Sequence, residues 1–252
     1  MNHIFRSLWS ESLGTWVAVS ELVPSQGKRH SRLARCRVCV QASGFGLGND
    51  WSVRSLCIAM GLALGTIGSA HAELAPDSLP TQGRVVAGQA AISQQAGQMT
   101  VQQSSDKAII NWQTFNIGQD ARVDFQQPDR QSVALNRVVS DNASQLYGQL
   151  HANGQVYLVN PNGVLFAPGS RVDVGELVAS TGSISDADFL AGRTQFSRNG
   201  ARGQIINQGQ IQAADGGQVA LLSPQVSNQG LIVAQKGDVV LAGGDKVTLQ
   251  AG

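Results

Sequence analysis

Beyond residue 72 the sequence contains no cysteine, because Cys36, Cys39 and Cys57 all fall in the first 72 of its 252 residues. No disulfide can hold the later part together, so it must rely on packing and backbone pairing. Charge is also scarce, at 14% Asp, Glu, Lys and Arg, and aromatics reach only 5%. After residue 72, 11 Lys and Arg face 14 Asp and Glu, so this part carries −3 where the whole chain carries +1. That sign removes the electrostatic support a nucleic-acid partner needs. A single histidine remains there, His151, with no cysteine partner and no nucleophile-elbow serine. Asp186 and Asp188 form a close acidic pair, but a pair without a cleft does no acid–base work. Calcium-loop spacing is missing too. Enzymatic activity, a cofactor and a bound metal are therefore not expected. The longest apolar stretch, Leu56–Ile67, is short and Gly-rich, whereas a membrane-spanning helix needs roughly 20 apolar residues.

Residues 1–72 differ in composition from the rest, holding seven of the 18 Lys and Arg, three of the four Trp and all of the Cys. Lys28, Arg29, Arg32, Arg35, Arg37 and Arg54 form a basic flank before Leu56–Ile67, and Ala70-His71-Ala72 is an A-x-A site ahead of Glu73. The arrangement is that of a cleaved secretory signal. At 72 residues it exceeds the usual length of about 15–30, and the excess lies in its first part. Trp9 and Trp16 are seven apart, a spacing that also suits one face of an amphipathic helix. Cys36-Arg-Val-Cys39 has CxxC spacing but no second ligand pair. Gly44-Phe-Gly-Leu-Gly48 lacks a strand–turn–helix setting. The basic run 28–37 is explained by the signal.

In the remaining residues, about 180 and enough for one core, Gln, Asn, Gly, Ser and Val dominate. Such a composition suits stacked strands and tight turns. The C-terminal third repeats itself: Ile206–Val219 aligns with Ser227–Val240 at an offset of 21. Asn207 then matches Asn228, Gly209 Gly230, Ile211 Ile232, Ala213 Ala234, Gly216 Gly237 and Val219 Val240. No unit of this size buries its own apolar face, so the units must stack. Equivalent residues of successive coils would lie about 4.8 Å apart, giving an Asn207–Asn228 ladder and an Ile211–Ile232 apolar column. Two hairpins in a sandwich share this composition, but a hairpin does not require a fixed offset. Upstream, Val101–Phe115, Arg122–Phe125 and Ser132–Val139 read as strands. Residues 84–110 are expected to cap the first coil, which otherwise presents unpaired backbone. Asp186–Gly192 reads as a short helical or loop excursion.

The run Gly154–Gly169 carries the sharpest local signal. Val156-Tyr-Leu-Val159 and Val164-Leu-Phe166 favour strands, and Asn160-Pro-Asn-Gly163 between them favours a reversal. Pro161 presets φ, the two Asn can bond their own backbone, and Gly163 can take positive φ.

That run, together with Asn111-Trp-Gln-Thr-Phe-Asn-Ile-Gly118 and Gln127–Arg137, resembles the N-terminal secretion domain of filamentous-haemagglutinin-like exoproteins of two-partner secretion. The first 21 residues resemble the extended signal-peptide region of large autotransporters and two-partner exoproteins, through Asn2, Arg6, Trp9, Trp16, Val17, Ala18, Val19 and Glu21. The resemblance implies an all-β fold, a right-handed parallel β-helix with an N-terminal β cap. It divides the chain into a cleaved extended signal peptide (1–72), a cap (73–110) and a β-helical secretion domain (111–252). With no capping sequence in Val239–Gly252, the chain is expected to be the front of a longer exoprotein or a truncated gene product. The implied partners are a cognate outer-membrane transporter with periplasmic domains, the inner-membrane Sec machinery, signal peptidase, and a host-cell surface ligand. By the same resemblance, Asn111, Trp112, Phe115, Asn116, Asn160, Pro161, Asn162 and Gly163 carry transporter recognition. Each of them also has a plain role in building coils. The product is expected to be secreted or held at the bacterial surface via the periplasm.

Three roles fit such a front end. The first is an address for transport, within an adhesin of the filamentous-haemagglutinin type. The second is adhesion by this chain itself; Lys236-Gly-Asp238 resembles integrin-binding tripeptides, but three residues recur by chance. The third is the stalk of a contact-dependent inhibition toxin, whose toxin would lie past Gly252.

Overall fold

The computed structural model describes residues 74–249 and, nearer the N terminus, strands β1 (Phe5–Ser10) and β2 (Thr15–Ser20). β1 and β2 pair antiparallel with Trp9 opposite Trp16. The two tryptophans are thus cross-strand partners and not neighbours on a helix, as suits the β-favouring Thr15-Trp-Val-Ala-Val19. The basic flank, the CxxC spacing, Gly44–Gly48 and the cleavage residues Ala70, Ala72 and Glu73 lie outside the described residues. Residues 1–68 and 69–252 are separate units.

In the second unit the chain is all-β, a parallel solenoid of about seven turns. Its strands in order are β3 (Arg84–Ala87), β4 (Ala90–Gln95), β5 (Gln98–Gln103), β6 (Lys107–Trp112), β7 (Arg122–Gln126), β8 (Val133–Val138), β9 (Ser144–Leu146), β10 (Gln149–Ala152) and β11 (Gln155–Val159). Next come β12 (Val164–Phe166), β13 (Arg171–Val174), β14 (Glu176–Ser180), helix α1 (Asp186–Leu190), β15 (Gln195–Ser197), β16 (Ile205–Asn207), β17 (Gln210–Ala213) and β18 (Val219–Leu222). The last are β19 (Val226–Asn228), β20 (Leu231–Ala234), β21 (Val239–Ala242) and β22 (Lys246–Thr248). They stack into three faces: β4-β5-β7-β10-β13-β17-β20, β3-β6-β8-β11-β14-β18-β21 and β9-β12-β16-β19.

Expectation and structure differ at three places. The predicted strand 101–115 is two strands, because the chain turns a corner between the first and second faces at residues 104–106, where Ser104 N–H bonds the Gln89 carbonyl at 2.9 Å. The cap is shorter than 84–110: only β3 and β4 run antiparallel, against β6 and β5. β5 and β6 already pair in parallel with β7 and β8, since their inward residues Val101 and Trp112 need apolar neighbours in the next coil. The third difference is register. Ile211 lies against Ile232 and Asn207 against Asn228, but Val219 pairs with Val239 and Ala220 with Val240. Gly237 sits over Gly217, not over Gly216. The corner between β20 and β21 is one residue shorter than that between β17 and β18, and Lys236 takes φ 54° within it. One residue of slip exchanges the faces of a strand. Val240 therefore points outward, while Leu241 continues the inward column of Leu221.

Inside the coils, columns such as Met99-Val123-Leu150-Val172-Ile211 and Ala134-Val156-Leu177-Val219 form the main core. Each buried side chain of this kind contributes roughly 1.5–3 kcal/mol. A second core lies outside the solenoid. Between β14 and β16 the chain leaves the coil, forms α1 and β15, and lays Ile184, Phe189 and Phe196 over Ile109, Leu135, Tyr157 and Val178 of the second face. The expected excursion at 186–192 is thus a helix, N-capped by Ser185, whose side chain accepts from Asp188 N–H, as cap preferences favour.

Candidate functional site

The Asn160–Gly163 segment forms the corner from the second face to the third. Gly163 N–H donates to the Asn160 carbonyl at 3.1 Å, and Asn162 N–H donates to Asn160 Oδ1 at 3.0 Å. Gly163 adopts φ +115°, a value that a side chain would strain, and Gly203 of the next coil lies directly on the 161–163 backbone. Asn160 is fully buried. Its Nδ2 donates to the Asn142 carbonyl and to Ser144 Oγ, each at 3.0 Å, while its own N–H donates to the Ser180 carbonyl at 2.9 Å. One side chain thus joins its coil to the preceding one and its backbone to the following one. Asn162, exposed, adds a bond from Nδ2 to the Ser140 carbonyl at 2.8 Å. Pro161 is exposed as well, at the apex.

The other candidate corner begins in β6. Trp112 and Phe115 are both fully buried and meet edge to face at 5.7 Å. The cap closes on the indole: a Cβ at Gly83 would collide with its ring. Trp112 Nε1 donates to Asn136 Oδ1 at 2.9 Å. Asn136 lies inside the solenoid, in the column of Ile110 and Leu158, and its amide donates in turn to the Ala134 and Tyr157 carbonyls. Buried polar groups without such partners are costly. Asn116 Oδ1 accepts from Gln145 N–H at 2.9 Å, and Asn111 Oδ1 accepts from Arg137 at 3.5 Å. Asn111, Trp112, Phe115 and Asn116 therefore share one corner, and Asn160, Pro161, Asn162 and Gly163 another, two coils further on. On the third face, Asn207 Nδ2 donates to Asn228 Oδ1 at 2.7 Å, and Gln208 to Gln229 at 3.0 Å makes a second rung.

Sequence reasoning passed over Asn136, although an Asn in the apolar run Val133-Ala-Leu-Asn is the signal that betrays it. It also passed over Gln127, whose Nε2 bonds Gln103 Oε1, the Ser132 carbonyl and the Gln155 carbonyl across neighbouring coils. Two partly buried carboxylates, Asp124 and Glu176, are shifted by their surroundings. On the first face Asp124 accepts from Arg122 at 2.6–2.8 Å and from Gln98 at 3.1 Å, with His151 Nδ1 3.7 Å away. Burial would raise the Asp124 carboxyl, but these donors outweigh it and hold the group below its ordinary value. On the second face burial raises Glu176, only partly offset by a 3.5 Å contact from the Tyr157 hydroxyl, and burial raises that hydroxyl as well. Among the described residues no three of His, Cys, Asp and Glu come together as metal ligands, and no helix is long and apolar enough to cross a membrane.

The model of the TPS secretion domain matches residues 74–251, and that of the Extended Signal Peptide of Type V secretion system matches residues 1–48. The chain belongs to the TPS secretion domain family. Among curated proteins, the Heme/hemopexin-binding protein of Haemophilus influenzae strain Rd is 40% identical over 179 residues, which are 68% of this chain and 20% of that protein. A second Heme/hemopexin-binding protein from H. influenzae is 44% identical over 114 residues, 45% of this chain and 12% of that one. The chain thus spans a fifth or less of the length of these relatives. The crystal structure of the HMW1 secretion domain from H. influenzae superposes with a TM-score of 0.64 at 36% identity, covering 67% of this chain and 46% of that one. Membership places the chain among the exoproteins of two-partner secretion. It is exported via the periplasm to the cell surface or the medium. The family is one of secretion domains and not of enzymes.

Proposed function

We propose that residues 73–252 carry the address by which the transporter selects this polypeptide, and that the same residues then seed β-helix folding of the exoprotein. Residues 1–72 would be removed after Ala72 by signal peptidase, once the Sec machinery has passed the chain into the periplasm. The observation that carries the reading is the burial of Trp112, Phe115 and Asn160 at 0% exposure. A transporter that touches these side chains must do so before they fold away. An extended chain offers backbone groups for strand addition and alternate side chains for specificity. Asn111, Asn116, Pro161, Asn162 and Gly163 flank those three and would be read in the same stretches. Folding outside the cell would then remove the address from the pore and oppose backsliding without nucleotide hydrolysis.

The exported passenger is proposed to be an adhesin of the filamentous-haemagglutinin type that meets a host-cell surface ligand. A second reading has a specific observation behind it: 40% identity to a Heme/hemopexin-binding protein favours a passenger that takes heme or hemopexin through regions beyond this domain. Co-expression in a Gram-negative host with and without the transporter, followed by N-terminal sequencing, tests the address. Transporter-dependent export of a chain beginning at Glu73 is expected. Equal export without the transporter would overturn the reading.

A further inference from the structure

The excursion between β14 and β16 does more than cover a face, because its contacts reach almost the full height of the solenoid. Near the cap, Lys107 Nζ donates to the carbonyls of Phe189 and Leu190, at 3.2 and 2.9 Å. Both carbonyls lie in the last turn of α1, where a cation is favoured; that of Phe189 also accepts from Gly192 N–H at 3.0 Å. One coil on, Arg137 holds the Ile184 carbonyl at 3.0 Å and the Asp186 carboxylate at 2.7 Å. In the next coil the Tyr157 ring meets Phe189 at 6.0 Å and Phe196 at 6.3 Å. After β21 the chain returns: β22 pairs antiparallel with β15, placing Val247 opposite Phe196. Leu249 N–H bonds the Thr194 carbonyl at 3.1 Å, Thr194 Oγ1 donates back to the Leu249 carbonyl, and Arg198 N–H bonds the Asp245 carbonyl at 2.9 Å. Leu249 and Phe196 are both buried.

The excursion therefore needs partners from both sides of its own position in the chain. Its helix needs Lys107, Arg137 and Tyr157, laid down earlier. Its strand needs residues 245–249, laid down after every coil named above. We propose that residues 181–204 form a clasp that closes last, when β22 docks on β15, and that its closure locks a solenoid already wound. During export, and resting on the proposed transporter-dependent route, the clasp cannot close until everything from Lys107 to Leu249 is on the same side of the outer membrane, whichever end leads. Winding the coils rests on strand pairing between successive turns, so it proceeds as residues arrive. Closure instead reports completion of the span.

The clasp's place in the folding order is tested on the purified mature chain without any transporter, so its failure leaves the export reading untouched. Refolding from denaturant is sampled by pulsed hydrogen exchange. Amides of Gln155, Asn160 and Leu177, which bond between coils, are expected to gain protection before those of Ser183, Ala191, Arg198 and Leu249. Simultaneous or earlier protection of the second group would overturn the proposal. In native-state exchange, Val247→Asp, which sets a carboxylate against Phe196, is expected to strip protection from the second group while sparing the first. It should also speed global unfolding about tenfold. Should that variant fail to fold, Thr194→Val, which loses only the Oγ1 bond to Leu249, is expected to raise exchange of the clasp amides about threefold to tenfold over that of the coil amides. Equal acceleration of both groups would contradict an independently opening clasp.

Discussion

β13 and β14 are consecutive strands of one coil, yet they live in different surroundings. In Arg171-Val-Asp-Val174 exposed and buried residues alternate, whereas four successive residues of β14, Leu177-Val-Ala-Ser180, are all buried. The first face has a core on one side and water on the other, so polar residues stand on its outer surface: Arg122, Asp124, His151, Asp173 and Gln212. The second face is covered twice, by the solenoid core and by the clasp. Its central strands β11, β14 and β18 accordingly carry runs of four buried, mainly apolar residues, as sheets buried on both sides do. The composition of a single coil thus records which faces carry a second layer.

Substitutions at matched outward positions break or sharpen that contrast. Val178 and Asp173 both point away from the coil interior, and the largest effect is expected from exchanging their characters. Val178→Asp leaves an unpaired carboxylate between two apolar layers and should cost about 3–5 kcal/mol, read from urea unfolding. Asp173→Val on the open face should stay within about 0.5 kcal/mol. Similar costs for the two would mean that the clasp does not seal the second face. At the corner joining these faces to the third, Asn160→Ala removes both amide donor bonds to the preceding coil and is expected to cost about 1–3 kcal/mol. Asn162→Ala, at an exposed site, should cost less than about 1 kcal/mol.

Titration gives smaller differences between the faces. Burial raises Glu176 on the covered face, so it contributes stability that is complete below its ordinary 4.5 and is lost as pH rises through the elevated folded value. Glu176→Gln should therefore be the more stable form at neutral pH, by about 1 kcal/mol or less, and the gap should close on acidification. Asp124 on the open face behaves oppositely. Its folded value is lowered from 3.8 by the Arg122 and Gln98 bonds, which outweigh burial. Its contribution is present above 3.8 and lost as pH falls through the lowered value. Because Arg122 is half exposed, Arg122→Gln should change stability by less than about 1 kcal/mol. A pH titration of unfolding midpoints for the two variants distinguishes them by sign.

Much of this was legible from residue order alone. Asn207 and Ile211 announced their coil partners because identical residues recur at the same corner and column. Asn160-Pro-Asn-Gly announced its turn because each residue type there favours a reversal. The register of Val219 was not legible, since a corner can lose a residue without changing its composition, and Lys236 gives no warning that it takes positive φ. The length of the cap was obscured because antiparallel and parallel strands use the same residues; only their neighbours differ. The clasp was hardest to foresee, for Phe189 and Phe196 are isolated in sequence and find Tyr157 only across coils. At the candidate site, the sequence named the residues but not their burial, and it is burial that turns the question toward the unfolded chain.

Transporter binding to folded and unfolded forms is the most direct test. The periplasmic domains of the cognate transporter would be titrated against the mature chain in its folded state and against a Val178→Asp/Val247→Asp double variant held unfolded, with hydrogen exchange verifying each state. The account predicts binding to the unfolded form at least about tenfold tighter, a difference of about 1.4 kcal/mol, and its loss when Trp112, Phe115 and Asn160 are all replaced by Ala. Equal or tighter binding to the folded domain would contradict it, and would place recognition on the exposed surface instead.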